Sequence, residues 1–309
     1  MKKNKFKILI ILLLLLVTTG CTTALVDDNK KPVTNQETGQ NLTENILCQP
    51  TDKENIKLYE KNGVKIDKLP TCDDFKITSG KYEGLWTSIF IKPLAFILLW
   101  LGRIVGNYAV SLIIISIIIR VITFPLTKKT ALQSESMKKA QPEIEKITKK
   151  YKDKQDQESM MRQSQEMMMV YKKYNISPMS GCLFAMLQLP LLIAFFEAIQ
   201  RTPAIFEDKF LGLQLGTTPV VGITSATFIA YIILMLIIAG TTFFSFKMNL
   251  SGDNLDPSMK MMPIMMSAII IITALFMPSA LGIYWVTSNI LTIIQNIVVK
   301  RSKESHGKA

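Results

Sequence analysis

The stretch SLIIISIIIRVITFP, residues 111–125, decides how this chain is interpreted, because it sets one arginine inside an apolar run. A charge at the centre of a bilayer helix costs roughly 2.5–3.5 kcal/mol, so such a residue usually faces protein or water rather than lipid. Lys128 follows Arg120 at a distance of about 12 Å along a helix, part of which a long side chain can cover. Arg120 is therefore either a snorkelling end anchor or a functional charge inside the membrane.

The composition is typical of a polytopic helical membrane protein. The chain has 309 residues, 49% of them hydrophobic, arranged in several long uncharged runs, and its formal net charge is +12. The four Cys and the single His, His306, show no metal-ligand spacing, and there is no GxxxxGK phosphate-binding loop. We therefore predict no metal site, no cofactor, no enzymatic activity and no specific binding of nucleic acid.

Residues 1–20 have the pattern of a secretory signal peptide, with lysines at the start and an apolar run over 8–17. The pair Gly20-Cys21 resembles the end of a bacterial lipoprotein signal, which predicts cleavage before Cys21 and its lipidation. Thr18 departs from that pattern, and an uncleaved anchor over residues 8–26, about 28 Å long as a helix, is the alternative. Both interpretations place the following residues outside the cytoplasm.

Residues 21–81 are predicted to be an extracytoplasmic polar tether with at most a small folded patch. Asn, Thr, Lys and Asp dominate this segment, and its apolar residues show little periodicity. Cys48 and Cys72 both lie here, in an oxidising compartment. A disulfide between them and two separate thiols are both compatible with the sequence.

An interfacial helix over residues 82–101 and five membrane spans are predicted next. The pair Lys92-Pro93 interrupts the helix and leaves an apolar part too short to span, so we expect it to lie on the outer leaflet. The spans are predicted at residues 105–126, 179–199, 228–246, 261–276 and 284–299. Five spans from an outside start end inside, and the basic tail after residue 299 then lies in the cytoplasm, as the positive-inside rule requires.

Residues 128–174 form a soluble insertion between the first two spans. Apolar residues follow a helical period on both sides of a polar break at 152–157, which predicts two antiparallel amphipathic helices. The insertion carries twelve Lys or Arg against seven acidic residues, which places it in the cytoplasm. Five methionines fall within residues 160–169; they form either a flexible surface for apolar partners or the filling of the hairpin seam.

Polar side chains on three predicted spans are spaced so that they can share one interior. In the first span, Ser116, Arg120 and Thr123 lie on one helix face. Gln188 lies midway along the second span. The last span carries a polar stripe at Tyr284, Ser288, Thr292 and Gln295. Each residue alone is more often a hydrogen-bonding partner between helices, but together with an arginine they favour a hydrated cavity.

Three features together resemble the YidC-type membrane protein insertases. The segments SPMSGCLFAMLQLP at 177–190 and FMPSALGIYWVTSNILTIIQ at 276–295 are similar to two signatures of that family. A span with a single arginine followed by a charged hairpin completes the pattern. The resemblance covers residues 82–301, and the lipoprotein-like start is similar to the Gram-positive branch. Phe184 departs from the family, which commonly has Pro at that position.

The resemblance implies an all-α polytopic membrane protein of the cell membrane. Residues 82–309 would form a five-transmembrane-helix insertase core with a cytoplasmic helical hairpin and an outer interfacial helix. Arg120 would match the family's groove arginine, in a positively charged groove that is open to cytoplasm and lipid. The implied partners are nascent membrane proteins and the bilayer, with the Sec translocon and the ribosome as further candidates.

Two other classes of function are compatible with the residues. A secondary transporter could bind a small anion at Arg120, although transporters usually show internal repeats and the five predicted spans show none. A lipoprotein scaffold without insertion activity is the third class. Uptake of a labelled anion and rescue of an insertase-depleted cell, respectively, separate these two readings from an insertase.

Overall fold

The structure is a computed structural model that describes residues 22–152, 154, 156–177, 180–250 and 257–306. The predicted signal peptide and the predicted lipidation site Cys21 lie outside these residues. The chain divides into two compact units. The first unit contains the described residues up to 116 together with 189–236 and 272–285, and the second contains 117–188, 237–271 and those from 286 onward.

The described residues are mainly helical. The strands β1 (Lys209–Phe210) and β2 (Leu213–Gln214) pair in an antiparallel hairpin, and a π-helical turn at Thr87–Ile91 leads directly into the second helix. The α-helices are α1 (Lys53–Lys61), α2 (Lys92–Val105), α3 (Tyr108–Tyr151), α4 (Gln157–Lys173), α5 (Ser180–Gln200), α6 (Pro203–Phe206), α7 (Pro219–Gly222), α8 (Phe228–Leu250), α9 (Pro257–Leu275) and α10 (Ser279–His306).

The segment after residue 21 contains a folded core, whereas the sequence analysis predicted a polar tether with at most a small folded patch. Its apolar residues form a buried core made of Leu25, Val33, Leu42, Ile46 and Tyr59. Asp52 caps α1 by accepting hydrogen bonds from two backbone N–H groups, and a disulfide joins Cys48 to Cys72, whose Cα atoms are 4.9 Å apart. The apolar residues are few and irregularly spaced, so no periodicity in the sequence predicts this core.

This N-terminal segment docks on the loop that follows α5. The N–H of Leu47 donates to the carbonyl of Arg201 at 2.7 Å, and the N–H of Thr218 donates to the carbonyl of Thr38 at 3.0 Å. The carboxylate of Glu207 accepts four hydrogen bonds of 2.7–3.1 Å from the start of α1, at Thr51, Asp52 and Asn55. The segment is therefore part of the first unit.

Arg201 is the buried hub of that docking. Its side chain is 0% exposed, its Nη2 atom lies 2.5 Å from a carboxylate oxygen of Glu83, and its Nε donates to the carbonyl of Asn45 at 2.7 Å. The neighbouring Glu197 is also buried and accepts a hydrogen bond from the indole of Trp86 at 3.2 Å. One guanidinium thus connects the end of α5 to two parts of the preceding chain.

Helix α2 does not break where the sequence suggested. Helical structure is continuous over Thr87–Val105. Lys92 lies within it, is buried, and donates to the carbonyls of Ser79 at 2.6 Å and Lys81 at 3.0 Å, which satisfies its ammonium group. Pro93 is the second residue of α2, where a missing N–H is tolerated. The predicted interruption at Lys92-Pro93 is therefore wrong, and only the predicted position on the outer leaflet is left as a prediction.

Helix α3 is longer than the predicted first span. It runs over Tyr108–Tyr151, through Pro125 and Pro142, whereas the sequence predicted an end at residue 126. Each proline removes one backbone hydrogen bond but leaves the rest of the helix intact, and flanking contacts can support such a site. Asn107 fixes the start of α3 by accepting hydrogen bonds from the N–H groups of Ala109 and Val110.

The membrane-span count stays a prediction. Among the described residues, four helices are long and apolar enough to cross a bilayer, at Thr87–Val105, Tyr108–Pro125, Phe228–Met248 and Ser279–Val299. Two shorter apolar helices, Gln188–Gln200 and Ile264–Leu275, overlap the predicted spans 179–199 and 261–276.

The second half of α3 packs against α4 as a helical hairpin, with the turn in the segment that was predicted as a polar break. Its seam is formed by Ala140, Ile144, Val170 and Ile176, with Met167 partly buried against them. The remaining methionines of α4 are exposed, at Met160, Met161, Met168 and Met169. Met167 therefore fits the filling of the hairpin seam, and a surface for apolar partners at the four exposed methionines stays a prediction.

Candidate functional site

Two apolar helices of the second unit carry most of the polar side chains that the sequence analysis selected there. One set is on α3 and the other is on α10, at Arg120, Thr123, Thr127 and at Ser288, Thr292, Gln295. Within each set, three- and four-residue spacings bring the side chains to one helix face. The faces meet through hydrogen bonds between the two helices.

Arg120 is held by Thr292. Its Nη2 atom donates to the Thr292 hydroxyl oxygen at 2.5 Å, and that hydroxyl donates in turn to the carbonyl of Ser288 at 2.8 Å. Thr292 is buried, whereas Arg120 is partly exposed. A hydroxyl oxygen orients a guanidinium without cancelling its charge, so this contact leaves a directed positive charge inside an apolar segment.

A second bond joins the same helices at Thr127. Its hydroxyl donates to the side-chain oxygen of Gln295 at 3.1 Å, and both residues are buried. Thr127 and Gln295 lie further along their helices than Arg120 and Thr292. The two contacts together fix the rotation and register of α3 against α10.

The other predicted lining residues have different local roles. The hydroxyls of Ser116 and Thr123 donate to carbonyls of their own helix, at 2.6 and 2.9 Å. Tyr284 is buried, and its ring stacks on Phe195 at 4.3 Å between centroids. Gln188 is partly exposed on α5. Ser116 and Tyr284 belong to the first unit, whereas Gln188 and Thr123 belong to the second.

The sequence analysis missed one contact of the second unit. The side-chain amide of Asn289 donates to the hydroxyl of the fully buried Thr242 at 3.0 Å, which joins α10 to α8. Asn289 directly follows Ser288, so it lies on a face of α10 next to the polar stripe and was not included in that stripe. A polar residue on a second face of an apolar helix is the sequence feature that could have predicted a contact with another helix.

The arrangement suits recognition by charge and hydrogen bonding. Among the described residues, no group of three or more His, Cys, Asp or Glu side chains could hold a metal ion. The Arg120 guanidinium and the neighbouring hydroxyl and amide groups can instead bind a carboxylate or another polar group at a point inside an apolar segment.

Comparison with known families shows which proteins this chain is related to. Residues 100–306 match the family model described as 60Kd inner membrane protein. The chain belongs to this family. It is 34% identical over 218 residues to membrane protein insertase YidC 2 of Listeria innocua serovar 6a, a match that covers 70% of this chain and 72% of that protein. Membrane protein insertase MisCA of Bacillus subtilis is 34% identical over 217 residues, covering 70% and 79%.

A solved YidC structure has a similar fold. The crystal structure of an active YidC insertase with its first transmembrane domain resolved matches with a TM-score of 0.52 and 21% identity. The match covers 79% of this chain and 50% of that chain, so this protein spans about half the length of that structure. The predicted resemblance to the YidC-type insertases and the helical membrane fold are confirmed.

Proposed function

We propose that this protein inserts integral membrane proteins into the bilayer and helps them fold, through a positively charged hydrophilic groove that contains Arg120. The observation that carries the proposal is the partly exposed guanidinium of Arg120, which Thr292 holds at 2.5 Å within an apolar helix. The insertase relatives support the general activity. The groove lining would include the predicted residues Ser116, Thr123, Gln188, Tyr284, Ser288, Thr292 and Gln295.

Electrostatics gives the groove charge a physical role. Opposite charges 4 Å apart attract by about 4 kcal/mol at an effective dielectric of ~20, before desolvation is subtracted. Placing one acidic residue in the membrane costs about 2.5–3.5 kcal/mol, which is comparable. Burial of the client's own helix, at about 25 cal/mol per Å² of apolar surface, then drives the transfer. The mechanism requires no nucleotide.

The proposed setting is a multi-pass protein of the cell membrane. The N-terminal segment would lie outside, with a lipid anchor at Cys21, and the hairpin and the C-terminus would lie in the cytoplasm. The clients are nascent membrane proteins. The Sec translocon and the ribosome are proposed further partners, the latter through the basic hairpin of α3 and α4.

The test is an insertion assay in proteoliposomes with one small client whose translocated tail is negative, neutral or positive. We expect Arg120→Ala and Arg120→Glu to lose insertion of the acidic tail, because both remove the attracting charge. Arg120→Lys keeps substantial activity if charge alone matters and fails if the forked guanidinium is needed. Arg103→Ala is the matched control, since Arg103 is exposed on α2.

Two outcomes would contradict the proposal. If Arg120→Ala inserts every tail as well as the parent protein, the arginine is a structural anchor. If the parent protein inserts no client but takes up a labelled small anion, the protein is a secondary transporter. Rescue of an insertase-depleted cell by the parent chain would exclude a scaffold without insertion activity.

A further inference from the structure

The hairpin of α3 and α4 contains a short sequence repeat. Residues 143–151 read EIEKITKKY and residues 166–174 read EMMMVYKKY. In both segments a glutamate is followed by Lys-Lys-Tyr that ends eight positions later, about 12 Å along a helix. Because the two helices run antiparallel, the glutamate of one copy lies opposite the Lys-Tyr pair of the other.

The repeat makes two reciprocal contacts across the hairpin. Glu166 Oε1 accepts from the Lys150 ammonium at 2.6 Å and from the Tyr151 hydroxyl at 2.9 Å. Glu143 Oε1 accepts from the Lys173 ammonium at 2.5 Å and from the Tyr174 hydroxyl at 2.8 Å. We call these two arrangements the clasps. Each clasp is a site in which one ammonium and one phenol bind one carboxylate.

The clasps are accessible to solvent. The side chains of Lys150 and Lys173 are 56% and 62% exposed, and those of Glu166 and Glu143 are 28% and 34% exposed. Hydrogen bonds from the lysine and the tyrosine hold the pKa of Glu143 and of Glu166 below the usual value. Both carboxylates are therefore ionised at neutral pH, but ion pairs this exposed to water contribute little stability.

Other ion pairs of the hairpin provide a contrast. Glu145 pairs with Lys149 and Glu158 pairs with Arg162, each within a single helix at a spacing of four residues. These pairs do not connect α3 to α4. Removing their carboxylates changes the charge of the hairpin as much as removing Glu143 and Glu166 does, but leaves the clasps intact.

We propose that the clasps are carboxylate-binding sites for an acidic segment of a client membrane protein, and that Glu143 and Glu166 occupy them until the client displaces them. The inference rests on the proposed insertase function, which supplies the client. An acidic client segment offers the same ligand as the internal glutamates, and the excess of lysines on the hairpin attracts it. A client held nearby competes at a high effective concentration.

Displacement of Glu143 and Glu166 would also change the apolar surface that the hairpin exposes. When the clasps open, the apolar seam around Ala140 and Val170 still holds α4 to α3, together with the hydrogen bonds between Gln133 and the chain that follows α4. The exposed Met168 and Met169 of α4 would then be joined by the partly buried Met167, which extends an adaptable apolar surface. An acidic segment followed by an apolar one could thus bind the hairpin in two steps.

The test measures peptide binding by the full-length protein in nanodiscs. The probe is a fluorescent Asp-containing peptide, compared with the same peptide in which Asn replaces Asp. We expect Glu143→Gln with Glu166→Gln to bind the acidic peptide roughly tenfold more tightly than the control Glu145→Gln with Glu158→Gln, because the internal competitor is gone. Equal or weaker binding by the clasp variant would overturn the proposal, because the effect would then be one of net charge.

A second double variant removes the tyrosine hydroxyls but keeps both aromatic rings. Tyr151→Phe with Tyr174→Phe removes one donor from each clasp, and we expect several-fold weaker binding of the acidic peptide and unchanged binding of the Asn peptide. Loss of both peptides equally would contradict the assignment. Insertion of one client by the parent protein is measured in parallel. If the parent inserts the client while the clasp variants bind like their controls, this inference fails and the insertase function stands.

Discussion

Thr292 accepts a hydrogen bond from Arg120 at 2.5 Å, and its hydroxyl donates a hydrogen bond to the carbonyl of Ser288 at 2.8 Å. The hydroxyl is thereby fixed in direction, because its donor is already used one helical turn back on α10. Toward Arg120 the hydroxyl oxygen therefore acts as an acceptor, which restricts the direction of the guanidinium. Thr292 therefore contributes directly to the orientation of the Arg120 charge within an apolar helix.

The first prediction concerns Thr292. Thr292→Val keeps the shape but removes the acceptor, and a hydrogen bond to a charged group contributes about 1.5–3 kcal/mol. We expect insertion of a client with an acidic tail to fall roughly tenfold, and Thr292→Ser to retain most of the activity. Thr241→Val is the control, since the Thr241 hydroxyl bonds only carbonyls of its own helix. Equal loss in both valine variants would argue against an orienting role.

The second prediction concerns the buried hub at Arg201. Arg201→Ala leaves Glu83 and the carbonyl of Asn45 without their guanidinium, and breaking a buried ion pair costs about 3–5 kcal/mol. Because the Glu83 side chain is 31% exposed, we expect the lower end, about 3 kcal/mol in the free energy of unfolding. Arg103→Ala, which loses one hydrogen bond to the carbonyl of Asp73, should cost about 1 kcal/mol or less.

Denaturant unfolding in detergent measures the difference in the free energy of unfolding between the two variants. Hydrogen exchange of residues 22–80 shows whether the loss lies in the N-terminal segment. We expect faster exchange in that segment for Arg201→Ala and parent-like exchange for Arg103→Ala. A segment that exchanges as slowly in Arg201→Ala as in the parent would mean that the contacts of Glu207 and the backbone hydrogen bonds of Leu47 and Thr218 hold it in place without the guanidinium.

The third prediction concerns acid. The pKa values of Glu143 and Glu166 lie below the ordinary 4.5, so the small stabilisation that these exposed pairs contribute is fully present above that pH and is lost as the pH falls through the lowered values. We expect the hairpin of α3 and α4 to loosen only below about pH 4.5. The distance between spin labels on its two helices reports the opening. In Glu143→Gln with Glu166→Gln, the same distance should not depend on pH in this range.

The fourth prediction concerns Cys21. Gly20-Cys21 after a short apolar run predicts signal cleavage and a lipidated N-terminus. Mass spectrometry of the membrane-bound protein should find a lipid-modified peptide that begins at Cys21, and Cys21→Ser should reduce processing. A mature protein that retains Met1 would instead identify residues 8–26 as an uncleaved anchor.

The sequence alone predicted a helical membrane protein and its family, because both predictions depend on properties that are local along the chain. The length of an apolar run, the single charge at Arg120 and the excess of lysine in residues 128–174 need no knowledge of tertiary contacts. The same holds for the amphipathic period that predicts two helices in the insertion. These features also carry the resemblance that the family match confirmed.

Only the tertiary structure decided how residues 22–80 fold, where Arg201 is buried and which hydroxyl faces Arg120. Each depends on contacts between residues far apart in the chain, such as Arg201 with Glu83 or Arg120 with Thr292, which lie 118 and 172 positions apart. A polar segment with few and irregularly spaced apolar residues has the sequence pattern of a tether, although here those residues pack on one another. Periodicity records which side of an element is apolar, but the free energy of burial depends on the neighbour that covers it.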